Sequence, residues 1–279
     1  MIRKPAVAGS FYPSGREALT EGIRSCFLGP LGPGILPPSK ETSAALSAIV
    51  CPHAGYQYSG QVAAHSYLHA SGLHHPEVMA VVAPNHYGVG GPLSSFGEGF
   101  WETPLGRVPV DSVATAEFIS ASGAADDPEA HAMEHSLEVQ LPFLQFLYGN
   151  GVPILPIMML NQDADSAAVV GVALAKVLKS RKSVLVASSD LTHYEPASDA
   201  SPKDSTLLGA VADLDVGRFY STLEDLSVTA CGYGPVAAVM TAAKQLGLSK
   251  GEVLKYADSG DVTGDKSSVV GYGSVKFVK

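Results

Sequence analysis

The chain has 279 residues, 46% of them hydrophobic and 16% charged, with a formal net charge of −9 and a pI near 5.4. That balance suits a well-buried globular core and excludes a disordered chain, while the lack of any basic run longer than Arg181-Lys182 removes the footprint of a nucleic-acid binder. No apolar stretch approaches the roughly 20 residues of a membrane span, and the charged start precedes too short an apolar stretch for a signal peptide. Three cysteines, an odd number in a chain too long to need staples, point to free thiols and the cytoplasm.

In chain order, an N-terminal helix carrying Cys26 leads into a Pro/Gly-rich surface loop from Gly29 to Pro38. Ala48 to Cys51 reads as a buried strand that runs into Pro52-His53-Ala54-Gly55 and then a helix from Ser59 to Ala70. Val78 to Ala83 is a second strand, ending at Pro84-Asn85-His86 and the turn-rich stretch Gly88 to Pro92. Helical stretches follow at Val113 to Ser120 and Glu134 to Tyr148, a third strand at Val152 to Met159, and a helix at Ala164 to Leu178. Ser183 to Ala187 is the fourth strand and leads into Ser188-Ser189-Asp190-Leu191-Thr192-His193. Pro235 to Leu246 is helical, with Pro in its first turn and Gly247 just past its end. Val253 to Val278 reads as strands joined by Gly-rich turns.

Near-continuous apolar runs are what strands covered on both faces look like. Alternation of such strands with helices predicts one α/β domain over residues 1–279, its central sheet largely parallel or mixed and flanked by helices.

His53, His86 and the Asp190/His193 pair each follow a predicted core strand, and in open α/β sheets sites gather beyond the carboxyl ends of the strands. Imidazoles with a thiolate or carboxylate make a three-ligand metal set. Cys231, in Thr229-Ala230-Cys231-Gly232 just before a helix, is the best third ligand, its thiolate favoured by the helix dipole. A carboxylate such as Asp190 can fix the tautomer of His193 and make it an acid/base group. Each piece also has an ordinary structural reading: a histidine after a strand as a hydrogen-bonded loop residue, Asp190 as a turn cap, Cys231 as a small buried hydrophobe.

His131 and His135 lie four apart on a helical stretch and could share a face, but the zincin pattern is absent; His135 reads as a pocket residue and His131 as structural. Cys26 and Cys51 read as buried hydrophobes, and His65, His69, His74 and His75 as surface residues. Gly260 to Ser267 misses the glycine spacing of a phosphate-binding loop, and no dinucleotide fingerprint or serine-hydrolase elbow is present.

Several blocks together carry a resemblance. Pro5-Ala6-Val7-Ala8-Gly9-Ser10-Phe11-Tyr12-Pro13, Pro52-His53-Ala54-Gly55-Tyr56-Gln57-Tyr58-Ser59-Gly60, Pro84-Asn85-His86, Glu134-His135-Ser136-Leu137-Glu138, Ser188-Ser189-Asp190-Leu191-Thr192-His193-Tyr194 and Cys231-Gly232 occur in the order seen in the Memo family. Prokaryotic members are described as protein B of the AmmeMemoRadiSam system. The resemblance implies a fold similar to the class III, LigB-like extradiol dioxygenases, which hold non-haem Fe(II) on two His and a carboxylate and cleave catechol rings with O₂. By the same resemblance His53 and His86 match the ligand histidines, Cys231 stands where the carboxylate ligand falls, and His193 matches the acid/base histidine. Asp190 and His135 are expected in the same pocket, with Phe11 (Trp in eukaryotic relatives), Tyr12 and Tyr56 around the substrate. A thiolate ligand shifts preference toward Cu, Zn or a differently tuned iron, and Fe(II) is the favoured expectation. A small-molecule substrate or ligand and a homo-oligomer are further expectations, and the resemblance implies a functional link to radical SAM and AMMECR-like proteins.

Three readings follow: a metal-dependent redox enzyme with extradiol dioxygenase-like chemistry, a non-catalytic metal- or ligand-binding module, and a zinc hydrolase.

Overall fold

The computed structural model describes residues 1–38 and 45–279. Its main sheet is built on four parallel strands, Leu46–Cys51, Ser183–Ser188, Val78–Pro84 and Ile154–Met159, adjacent in that spatial order. Val269–Val278 pairs antiparallel with Leu46–Cys51 at one side, and Leu93–Ser95 pairs antiparallel with Ile154–Met159 at the other. His193–Glu195, Lys250–Asp258 and Ala125–Asp126 extend the edges. The expected α/β domain with a mixed sheet flanked by helices is therefore present.

The apolar runs work because alternate side chains feed two separate cores. Ala48, Val50, Val82, Ile157 and Leu185 point to one face, which Ala164–Leu178 and Tyr233–Gln245 cover. Ile49, Cys51, Val81, Met158 and Val186 point to the other, covered by Arg16–Leu28, Tyr56–Ala70 and Leu141–Tyr148. Cys26 and Cys51 are buried there, as expected. Asp163 starts the Ala164–Leu178 helix by accepting the Ser166 N–H at 2.7 Å, a side-chain N-cap that fixes the boundary read from the sequence.

Three expectations change. The helix read as continuous from Glu134 to Tyr148 is two, His135–Glu138 and Leu141–Tyr148, because Pro142 has no N–H for the Glu138 carbonyl and its ring crowds that turn. His131 closes a separate turn, Pro128–Ala132, so it shares no helix face with His135. The third strand begins at Ile154 rather than Val152, after Pro153. The hairpin Phe100–Thr103/Gly106–Pro109 and the helices Ala197–Ala212 and Val216–Asp225 add elements beyond those expected. No helix among the described residues is long and apolar enough to cross a membrane.

Candidate metal centre

Register brings the site together. Cys51 and Ser188 are opposed at the carboxyl ends of neighbouring parallel strands, and the Ser189 N–H donates to the Cys51 carbonyl at 2.9 Å. His53 and Asp190, each two residues further on, therefore leave the sheet side by side: the Asp190 Oδ1 accepts the backbone N–H of His53 at 2.8 Å and of Ala54 at 3.4 Å. Val78–Pro84, the next parallel strand, delivers His86 to the same end.

Ser188 fixes the tautomer of His53. Its hydroxyl donates to the Ser136 carbonyl at 2.6 Å, so it can only accept from the Gln140 amide at 2.8 Å and from His53 Nδ1 at 2.9 Å. The proton thus sits on Nδ1, and Nε2 presents its lone pair to Cys231, whose Sγ is 3.1 Å away. Burial, then the neighbouring His135 and His86, drive the His53 pKa well below its ordinary value, so the ring is neutral and ready to ligate.

Glu134 does the same for two more imidazoles. Its Oε1 receives His86 Nδ1 at 2.9 Å, stands 3.2 Å from His135 Nδ1, and accepts the Ser136 N–H at 2.9 Å; Oε2 takes the His86 N–H. Burial pushes this carboxyl up, but the hydrogen bonds from His135 and His86 outweigh it and hold Glu134 far below the usual carboxylate range. The His86 and His135 rings stack at 4.7 Å, and Phe11 lies 4.8 Å from His135. Glu138, one turn further on, accepts the Ala6 and Val7 N–H groups at 2.8 and 3.1 Å and pairs with Arg3 and the Tyr12 hydroxyl, docking the N-terminal segment beside the cluster.

Cys231 faces the pocket from the loop before Tyr233–Gln245. Its sulfur accepts the Asp190 N–H at 3.3 Å. A Cβ at Gly232 would lie 2.2 Å from the Ser188 carbonyl, so only glycine lets this loop press against the strand end. The expected thiolate is not favoured by its surroundings: burial, then the Asp190 carboxylate, push the Cys231 thiol well up. Burial also raises Asp190.

His193 is held differently from the expectation. Its Nδ1 bonds the carbonyls of Leu191 at 2.7 Å and Thr229 at 3.0 Å, and its backbone N–H donates to Thr229 Oγ1 at 2.7 Å. Two backbone carbonyls, and not the Asp190 carboxylate, set its tautomer and leave the Nε2 lone pair free.

All these groups line one cavity of about 780 Å³: Phe11, His53, His86, His135, Asp190, His193 and Cys231, together with Tyr58, Tyr194, Thr229 and Tyr272. Tyr12 and Tyr56, expected around the substrate, stand behind it; Tyr12 bonds Glu138 and the Tyr56 hydroxyl donates to the Val139 carbonyl at 2.6 Å. His131 is buried between Phe96 and Trp101, ring centroids 6.0 and 5.6 Å away, and is structural as read. Glu134, Ser188 and Gln140 were missed as site residues. Glu134 adjoins a candidate histidine and Ser188 is the last residue of a strand, whereas Gln140 has neither signal.

Two groups of donor atoms could hold an ion, each with its atoms within 4.8 Å of one another: His53/His86/His135 and His53/Asp190/Cys231. They share His53. Imidazoles oriented through their Nδ1 atoms, with a sulfur beside His53, are a donor set that fits a transition-metal ion.

A family description, "Memo-like protein", matches residues 3–276. The chain belongs to the Memo family. It is 47% identical to a "MEMO1 family protein" of Nitrosopumilus maritimus, with all of both chains covered. Proteins of the same name from Aeropyrum pernix and Thermotoga neapolitana are 46% and 43% identical over 99% and 98% of each chain. The matches run the length of the chains, so the similarity between this Memo chain and these relatives spans the whole domain.

Proposed function

We propose that the pocket holds one transition-metal ion on His53, His86 and Cys231, with Fe(II) favoured over Cu or Zn. On this reading the protein is a metal-dependent oxidoreductase acting on a small organic substrate, with chemistry like that of the LigB-like extradiol dioxygenases. The observation that supports it most is the commitment of Nδ1 on both His53 and His86 to internal acceptors, Ser188 and Glu134, which leaves both Nε2 lone pairs free, that of His53 3.1 Å from the Cys231 sulfur. When bound, the ion supplies Lewis-acid polarisation and redox chemistry toward O₂.

The other steps belong to the chain. His193 Nε2 takes the proton of a substrate hydroxyl, and the Leu191 and Thr229 carbonyls stabilise the imidazolium that results. His135, its Nδ1 held by Glu134, directs Nε2 at a substrate oxygen, while Phe11 shields that ring from water. Asp190 keeps the His53-Ala54 backbone in place through its two amide contacts. A cytoplasmic setting belongs to the same reading, since all three cysteines are free thiols.

The all-imidazole group His53/His86/His135 favours a second reading, zinc-dependent hydrolysis, because three histidines and an open position are a hydrolytic zinc set. Anaerobic reconstitution with Fe(II) or Zn(II), followed by bound-metal analysis, O₂ uptake with a catechol panel and ester hydrolysis, separates the two. Stoichiometric iron with catechol-dependent O₂ uptake supports the oxidoreductase; bound zinc with hydrolysis and no O₂ uptake supports the hydrolase. A folded protein that retains neither metal overturns both.

A further inference from the structure

The mouth of the pocket bears on what enters it. Beyond the donor cluster the lining is aromatic and hydroxylic, with Tyr58, Tyr194, Tyr272 and the carboxylate of Asp265. No lysine or arginine is among the described residues that line the cavity. The lysines beside the rim are engaged elsewhere: Lys266 Nζ lies 2.8 Å from Asp258 and 2.6 Å from Asp261, and Lys203 Nζ lies 2.8 Å from Glu195. The segment that failed the phosphate-loop pattern thus turns its one lysine toward its own aspartates. Asp265 is exposed and takes only the Ser267 N–H and hydroxyl, at 2.9 and 2.7 Å, so it carries a full negative charge at neutral pH.

Tyr194 supplies an independent observation. Its φ is +61°, in the left-handed region that a bulky side chain rarely adopts, next to a register shift between His193 and Glu195. The ring remains 78% exposed, so the strain is not offset by burying it in a core. The conformation sets the ring on the pocket lining, 5.7 Å from His193 and edge-on to it.

We infer that the substrate is an aromatic amine in its cationic form, its ring packed on Tyr194 and its ammonium group drawn to Asp265 and the tyrosine faces, and that carboxylates and phosphates are turned away. Aromatic faces attract cations through the ring quadrupole, and a carboxylate without a cationic partner attracts the same charge. The inference rests on the proposed small-molecule pocket, and it deepens that reading by assigning the substrate's charge.

The test is a set of anaerobic binding titrations with dopamine, uncharged ethylcatechol and the carboxylate dihydrocaffeate, run on metal-free and on Zn-loaded full-length protein. Dopamine is expected to bind about tenfold tighter than dihydrocaffeate, a difference of about 1.4 kcal/mol, with ethylcatechol between. Asp265→Asn should collapse that gap, while Tyr194→Gly, which accepts the local backbone, should weaken all three ligands alike. Equal affinities, tighter binding of dihydrocaffeate, or no binding of any of the three overturns the inference. An amine preference in a protein that takes up no metal supports this inference and removes the proposed oxidoreductase; metal uptake with no amine preference does the reverse.

Discussion

The Nε2 of His53 lies 3.1 Å from the Sγ of Cys231, although 178 residues separate them in the chain. Bonds of roughly 2.0–2.3 Å to one ion span such a separation. Two features create it: the Cys51/Ser188 register that places His53 beside Asp190, and the glycine at 232 that lets the Cys231 loop rest on the Ser188 carbonyl.

Removing a ligand should remove the ion and spare the fold. His53→Ala and His86→Ala are each expected to abolish stoichiometric metal binding while circular dichroism stays native, because both side chains leave the strand ends rather than the two cores. Cys231→Asp should keep an ion and favour harder ones in a competition titration. Full metal occupancy in either histidine variant would strike that residue from the ligand set.

Glu134 touches no ligand position itself, yet it orients His86 and His135. Glu134→Ala should weaken zinc affinity by about 10- to 100-fold, the usual effect of removing a hydrogen-bond partner from a ligating histidine. Calorimetric titration of the two proteins measures this. An affinity within twofold of wild type would show that the carboxylate does not orient the rings.

Gly232→Ala should mimic ligand loss without altering a ligand. The added methyl meets the Ser188 backbone oxygen at 2.2 Å, so the loop and Cys231 must move. Metal content should drop well below that of wild type, with a thermal shift of about 1–3 kcal/mol in stability. Retained stoichiometric metal would mean that the sulfur is not held against the strand end.

Acid should destabilise the metal-free protein through its buried histidines. Burial and the neighbouring imidazoles hold His53 well below its ordinary value of 6.5, and burial pushes His131 down to about 3. In the unfolded chain both take up protons below about pH 6.5, whereas the folded state refuses them, so stability is full above that pH and declines as pH falls. The window from 6.5 down to 4.5 lies above the ordinary carboxyl value of Glu134, while the raised carboxyls of Asp190 and Asp204 act in the opposite sense. Urea midpoints across it should fall, and His131→Leu should flatten the slope. A flat wild-type profile would contradict the buried neutral histidines.

The parts of the fold that were legible share one cause. Strands such as Val78–Pro84 and Ser183–Ser188 are buried on both faces, so their composition declares them. The Phe100–Thr103/Gly106–Pro109 hairpin has only four-residue strands, partly exposed, and gives no such run. Ala197–Ala212 carries Pro202 and a Ser/Asp-rich start, which hide its helical period. In the site, His53, His86, His193 and Cys231 announced themselves by residue type and by following a strand or preceding a helix. Glu134 did not, because what defines it is the position of His86, 48 residues earlier in the chain. Tyr12 and Tyr56 neighbour site residues in sequence, but their hydroxyls bond Glu138 and Val139 and neither ring is among the residues lining the cavity.

X-ray absorption at the metal edge of zinc-reconstituted protein tests the centre most directly. One sulfur at about 2.3 Å with imidazole nitrogens at about 2.0–2.1 Å, and loss of the sulfur shell in Cys231→Asp, is the expected result. A shell of nitrogen and oxygen alone in the wild-type protein would contradict a centre built on His53, His86 and Cys231.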